Sequence, residues 1–164
     1  MSQSESGGPF LWKRHARTAT LSCDVGEQPA QTWSAEHDGY VRLNAPTTHR
    51  RSVTLDSPAR RLTVIETIYA ARGTPIRLSW HLGPDVAVDL EGSQATLSWP
   101  IETDLRRATL LLPDGLLWNI RRADLDPIEG WYAPRFGTRV PANTLVGRGI
   151  ATSTTHLVTQ LELP

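Results

Sequence analysis

This sequence predicts an all-β fold, a two-layer antiparallel β-sandwich of roughly ten or more strands, on three observations. Apolar and polar residues alternate with period two in segment after segment, no window sustains the i, i+3, i+4, i+7 spacing of an amphipathic helix, and turn-forming clusters recur at short intervals. So many strands, each with one apolar face, need a second layer to cover them.

The elements follow in order. In Thr18 to Val25, the residues Ala19, Leu21, Cys23 and Val25 alternate with Thr18, Thr20, Ser22 and Asp24, which predicts a half-buried strand with Cys23 as an inert buried thiol. Asp38-Gly39 reads as a hairpin corner, and Asp56-Ser57-Pro58 and Arg72-Gly73-Thr74 as further turns. Pro75 to Leu82 places Ile76, Leu78, Trp80 and Leu82 on one face and Arg77, Ser79 and His81 on the other. Glu91-Gly92-Ser93 turns the chain into Gln94 to Trp99, where Ala95, Leu97 and Trp99 share a face. Arg107 to Leu112 follows, with Ala108, Leu110 and Leu112 together, then the turn Pro113-Asp114-Gly115. The last strand, Thr155 to Leu163, turns Leu157, Thr159, Leu161 and Leu163 inward. No internal repeat is present.

With 164 residues, 39% of them hydrophobic, the chain has material for one domain with a sizeable core. Seventeen basic residues balance 17 acidic ones, so the electrostatic footprint that nucleic acid or an anionic membrane requires is missing. Cys23 is the sole cysteine, which excludes a disulfide or a thiolate metal cluster within one chain. Residues 1–8 are Ser/Gly-rich and read as a flexible leader, with no apolar run of signal-peptide or membrane-span length.

The run Gly130-Trp131-Tyr132-Ala133-Pro134-Arg135-Phe136-Gly137 puts three aromatics and an arginine where a small polar loop is expected. Such a cluster either fills the end of a β-core or offers a stacking surface with a guanidinium for a carboxylate, to a sugar or a partner. Of the histidines, His37 and His49 are placed to meet across an antiparallel pair, with Asp38 as a third ligand or orienting carboxylate, although a hydrogen-bonded structural pair accounts for them as well. Tyr40 with His37 is a conceivable acid/base pair beside a uronate, or simply the flank of the Asp38-Gly39 corner. Acidic pairs occur throughout, and no nucleophile elbow, P-loop or dinucleotide fingerprint is present. Trp80, Trp99 and Trp118 alternate with core residues and are expected to be buried.

Gly8-Pro9-Phe10-Leu11-Trp12, Ala35-Glu36-His37-Asp38-Gly39-Tyr40, Thr48-His49-Arg50-Arg51-Ser52-Val53, His81-Leu82-Gly83-Pro84 and Trp131 to Gly137, in this order, resemble the distal part of the C-terminal β-domain of heparinase II/III-like polysaccharide lyases. The resemblance runs from about Gly8 to the end and makes 9–164 a partial C-terminal β-sandwich domain. It implies a preceding helical toroid, an acidic polysaccharide in the cleft between toroid and β-domain, and β-elimination beside a uronate. The toroid of such enzymes supplies a catalytic tyrosine. Their β-domain supplies a His-x-His-x-Asp stretch, a later aspartate and a further histidine for catalysis and a structural metal, all before the segment matched here. This sequence has no His-x-His pair, so no catalytic, cofactor-binding or metal residue is carried over. The expectation is a bacterial scaffold or cleft-wall domain, inactive by itself and without a cofactor. Its partners would be an acidic polysaccharide and a helical toroid domain or chain, or a second copy of itself, since strand edges and apolar surface stay uncovered. The family implies the periplasm or cell envelope, to which the sequence adds no address. The alternative is a free-standing glycan-binding or structural interaction module, with Trp131, Tyr132, Arg135, His37 and Tyr40 as the candidate glycan or partner contacts.

Overall fold

Period-two alternation gives every strand two chemically distinct faces, and this rule organises the whole molecule. The computed structural model describes residues 4–9 and 11–164 and contains seventeen strands, with no helix among those residues. The chain divides into two compact units. One runs to Pro75 and takes in Ile150–Val158, and the other comprises Ile76–Gly149 and Thr159–Pro164.

In the first unit, β1 (Glu5–Gly8) and β2 (Leu11–Arg14) form a hairpin. Of the stretch read as a flexible leader, residues 1–3 lie outside the described residues, Ser4 precedes β1, and Glu5–Gly8 form that strand. Next come β3 (Thr18–Asp24), β4 (Ala30–Tyr40), β5 (Thr47–Asp56) and β6 (Arg61–Ala70), each antiparallel to the next, with the start of the last strand, β17 (Thr154–Glu162), beside β6. Register then sorts the side chains. Trp33, Val53 and Val64 form one rung, Ala35, Arg51 and Glu66 the next, and His37, His49 and Ile68 the third, all on one face. The opposite face is a ladder of hydroxyls and ions. Ser34 and Ser52 hydroxyls are 3.0 Å apart, Arg50 reaches Glu36 at 3.0 Å, and the Arg50 guanidinium lies 5.5 Å from the centre of the Tyr69 ring.

The expected β3 is present but its alternation is broken. A bulge between Thr20 and Ser22 sets Ala19 opposite Glu36 and Cys23 opposite Trp33, so Ala19 and Cys23 fall on opposite faces. All seven residues of β3 are exposed, and the thiol expected to be buried is exposed with them. β3 is the end strand of its sheet, so one side of its backbone lacks a neighbouring strand among the described residues.

The second unit holds two sheets with facing apolar rows. One is β11 (Leu117–Arg122), β16 (Asn143–Ala151) and β7 (Thr74–His81), in that order. The other joins the end of β17 to β10 (Asp104–Leu111), β9 (Gln94–Ile101) and β8 (Ala87–Glu91). Ala95, Leu97, Ala108 and Leu110 are buried on the second sheet, and Trp118 and Leu145 on the first, which is the arrangement of a sandwich. Gly147 stands opposite Trp118 because a Cβ there would lie 2.7 Å from the indole ring. Of the three tryptophans expected inside, Trp118 is buried, donating its indole N–H to the Pro113 carbonyl at 2.9 Å, while Trp80 and Trp99 are half-buried. Two small hairpins complete the unit: β12 (Asp124–Leu125) with β13 (Ile128–Glu129), and β14 (Trp131–Arg135) with β15 (Thr138–Pro141).

Candidate functional site

Glu66 is the most confined charged group of the first unit, 1% exposed in the row Val64, Glu66, Ile68 of β6. A carboxylate in such a row must be paired. The Arg51 Nε–H donates to Glu66 Oε1 at 2.8 Å and His49 Nε2 lies 2.6 Å from Oε2. His49 Nδ1 is in turn 3.0 Å from His37 Nε2, and His37 Nδ1 accepts the Gly39 backbone N–H at 3.2 Å.

That last bond fixes every proton. A backbone N–H can only donate, so His37 Nδ1 carries the lone pair and His37 Nε2 the hydrogen. His49 Nδ1 must then accept, which leaves its hydrogen on Nε2, pointing at the carboxylate. Both imidazoles are neutral, the one negative charge is balanced by Arg51, and the donors run in one direction from Gly39 to Glu66. Burial is the foremost cause that holds the His37 imidazole below its ordinary value. Burial alone would raise the Glu66 carboxyl, but the hydrogen bonds from His49 and Arg51 outweigh it and hold the group low.

The cross-strand meeting of His37 and His49 is as expected, but its third member differs. Asp38 accepts the Arg17 N–H at 2.8 Å instead, and Glu66, from the strand beyond, takes the carboxylate position. Tyr40 packs edge-on against His37 with ring centres 5.3 Å apart. Asp38 and Gly39 lie at the end of β4, where the register slips between His37 and Tyr40 and Asp38 O accepts from Val41 N–H at 3.0 Å; the reversal into β5 is completed over 41–46. This set does not fit a metal, because each imidazole lone pair already accepts a hydrogen bond and the carboxylate is engaged on both oxygens. Among the described residues no group of three or more His, Cys, Asp or Glu is disposed to hold an ion.

In the second unit, the aromatic run expected as a loop is a hairpin. Gly137 (φ 71°) lies in its turn, and Trp131 and Tyr132 are consecutive on β14, so they do not form a coplanar pair. Trp131 is half-buried, donates its indole N–H to the Asp124 carbonyl at 2.8 Å and carries the Arg139 guanidinium 4.3 Å from its ring centre. Tyr132 is 44% exposed, Arg135 is exposed with its Nε 3.4 Å from the Thr138 hydroxyl, and Phe136 is fully exposed. Gly130 is required where the hairpins meet β11. Its φ is 75°, a Cβ would fall 2.5 Å from the Arg122 Cα, and its carbonyl accepts the N–H groups of Ala123 and Ala142, both at 2.9 Å.

Sequence reasoning missed the buried Glu66 and Glu129 as organising centres. For Glu66 the signal was present, a carboxylate alternating between Val64 and Ile68. For Glu129, whose neighbours come from β7, β11 and β16, no local signal exists.

Fold and site together define an all-β domain of sandwich type whose two buried carboxylates each gather polar side chains from neighbouring strands. The chain belongs to the family described as heparinase II/III-like, C-terminal, whose model matches residues 1–159. Similar solved structures include a heparan sulfate lyase, HepC, from Pedobacter heparinus (12% identity, TM-score 0.68, 89% of this chain and 21% of that one). A heparinase III gene product (16% identity, TM-score 0.66, 88% and 21%) and a further heparinase III (13% identity, TM-score 0.67, 98% and 23%) are also similar. The chain thus spans about a fifth of the length of these proteins. No curated protein matches it.

Proposed function

We propose that this chain supports and helps to wall the glycan cleft of a bacterial heparinase II/III-like polysaccharide lyase of the periplasm or cell envelope, and does not cleave glycan by itself. The family match over residues 1–159 carries the reading. β-Elimination needs a neutraliser for the uronate carboxylate, a base for the C5 proton and an acid for the leaving oxygen, held together in one geometry. The His37–His49–Glu66 chain offers no such base, since both of its imidazole lone pairs are engaged. The exposed Leu21 (44%) and Trp33 (38%) of β3 and β4 give a helical toroid domain or chain an apolar edge to dock on. The test is ultraviolet detection of unsaturated uronate product from acidic glycans, with and without a toroid chain. Product is expected only from the mixture, and product from this chain alone sinks the reading. The exposure of Tyr132 and Arg135 favours a second reading, direct glycan contact by the β14–β15 hairpin, which affinity without turnover would promote.

A further inference from the structure

Glu129 is surrounded by more cations than it can neutralise. Its side chain is 4% exposed, and guanidinium nitrogens of Arg77, Arg121 and Arg148 stand 3.0, 3.8 and 3.8 Å from its carboxylate oxygens. The three arginines come from β7, β11 and β16, neighbours in one sheet, so the backbone sets their spacing. Asp124, 3.4 Å from Arg121, adds a second negative charge, which leaves one positive charge of three unmatched. Three guanidiniums bring roughly fifteen N–H donors to the about four lone-pair sites of one carboxylate. Neither Glu129 oxygen receives a well-aligned hydrogen bond, so the carboxylate gathers the arginines without consuming their donors. Arg77 is further oriented by its Nε–H bond to the Ser79 hydroxyl at 3.2 Å. All three side chains remain 39–48% exposed. Next to Asp124, the stacked pair of Arg139 on Trp131 adds another oriented cation. With Glu129 and Asp124 each matched by one arginine, the third guanidinium is left to repel the other two unless a further anion joins them.

We propose that Arg77, Arg121 and Arg148, held around Glu129, form a binding site for sulfate ester or carboxylate groups of an acidic glycan. The choice of glycan rests on the lyase reading above. Guanidinium forks match such planar or tetrahedral oxyanions in charge and geometry. The test is calorimetric titration of the full 164-residue chain with a sulfated uronate oligosaccharide, a neutral oligosaccharide and sodium sulfate. The sulfated oligosaccharide is expected to bind, more weakly as salt rises, and the neutral one not to bind. Arg77→Gln and Arg148→Gln should each weaken binding about tenfold. Arg148→Lys, which keeps the charge but loses the fork, should bind between the parent and Arg148→Gln, and Arg107→Gln on β10 should change nothing. Thermal melts of the variants that match the parent tie the loss to the site. No binding of the sulfated oligosaccharide, or binding that both glutamine variants leave unchanged, overturns the proposal. Sulfate binding without oligosaccharide binding overturns it too. If either result accompanies elimination activity reconstituted with a toroid chain, the cleft-wall reading stands and only this site falls.

Discussion

Replacing Glu66 by glutamine tests the proton arrangement of the first unit with a change of almost no volume. Glutamine offers one acceptor and one two-proton donor where glutamate offers two acceptors. If its oxygen faces Arg51, its amide hydrogens face His49 Nε2–H, donor against donor. Relief would require His49 to move its hydrogen to Nδ1, which then opposes His37 Nε2–H. His37 would have to move its own to Nδ1, where the Gly39 N–H already points and cannot be reversed. If the amide is turned the other way, the clash falls on Arg51. Every arrangement strands one donor, and the surviving bonds lose their charge assistance.

An unsatisfied buried group costs about 1–3 kcal/mol, and a hydrogen bond to a charged group is worth about 1.5–3 kcal/mol. Arg51 is 44% exposed and can turn to water, so the expected loss is about 2–4 kcal/mol, a large part of a domain's stability of about 5–15 kcal/mol. Urea unfolding of parent and Glu66→Gln chains at pH 8 measures it. Nitrogen-15 spectra of the parent should show both His37 and His49 protonated on Nε2 alone. A loss below about 0.5 kcal/mol, the range of an ordinary surface change, or either imidazole protonated on Nδ1, refutes the reasoning.

Two further outcomes follow from the same geometry. Folded His37 sits below the ordinary imidazole value of 6.5 and folded Glu66 below the ordinary carboxyl value of 4.5, so as pH falls the unfolded chain takes up these protons first. Stability should be greatest above pH 6.5, fall as His37 titrates and fall again below 4.5; urea midpoints across that range check it, and a midpoint that rises on acidification contradicts it. Gly130→Ala should destabilise by about 2 kcal/mol or more, because the strained φ and the 2.5 Å approach to the Arg122 backbone cannot both be relieved. Unchanged thermal unfolding of that variant would show that the hairpins are not pinned to β11 in this way.

Local rules read the strands well and the sites poorly. Period-two alternation located β7, β9 and β17 to within about two residues of their ends, because each has one face against the interior. It failed in β3, where a bulge of one residue inverts the faces and Cys23 is exposed. The aromatic content of Trp131 to Gly137 was visible, but not that it forms the strand β14 and the turn into β15, since Arg139 and Asp124 rather than a core strand cover Trp131. The His37–His49 pair was legible because two antiparallel neighbours brought it together. Its partner Glu66 is one strand further away, and the register that aligns Arg51 with Glu66 is set by the whole of β5 and β6.

The two buried carboxylates show that burial alone does not say what a charged group is for. Around Glu66 the donors and acceptors close upon themselves: one guanidinium balances one carboxylate, both imidazole lone pairs are used, and the line ends on a backbone N–H. Such a chain has no valence left for a ligand, so its contribution falls on folding and on register between β4, β5 and β6. Around Glu129 the sum does not close, because three guanidiniums meet one buried carboxylate and a share of Asp124, and their outer faces stay wet. A buried anion that over-recruits cations holds them in place for something else to meet, at less entropic cost than free surface arginines would pay. The distinction rests on counting donors against acceptors at each centre, and it assigns stability to the first unit's network and recognition to the second's.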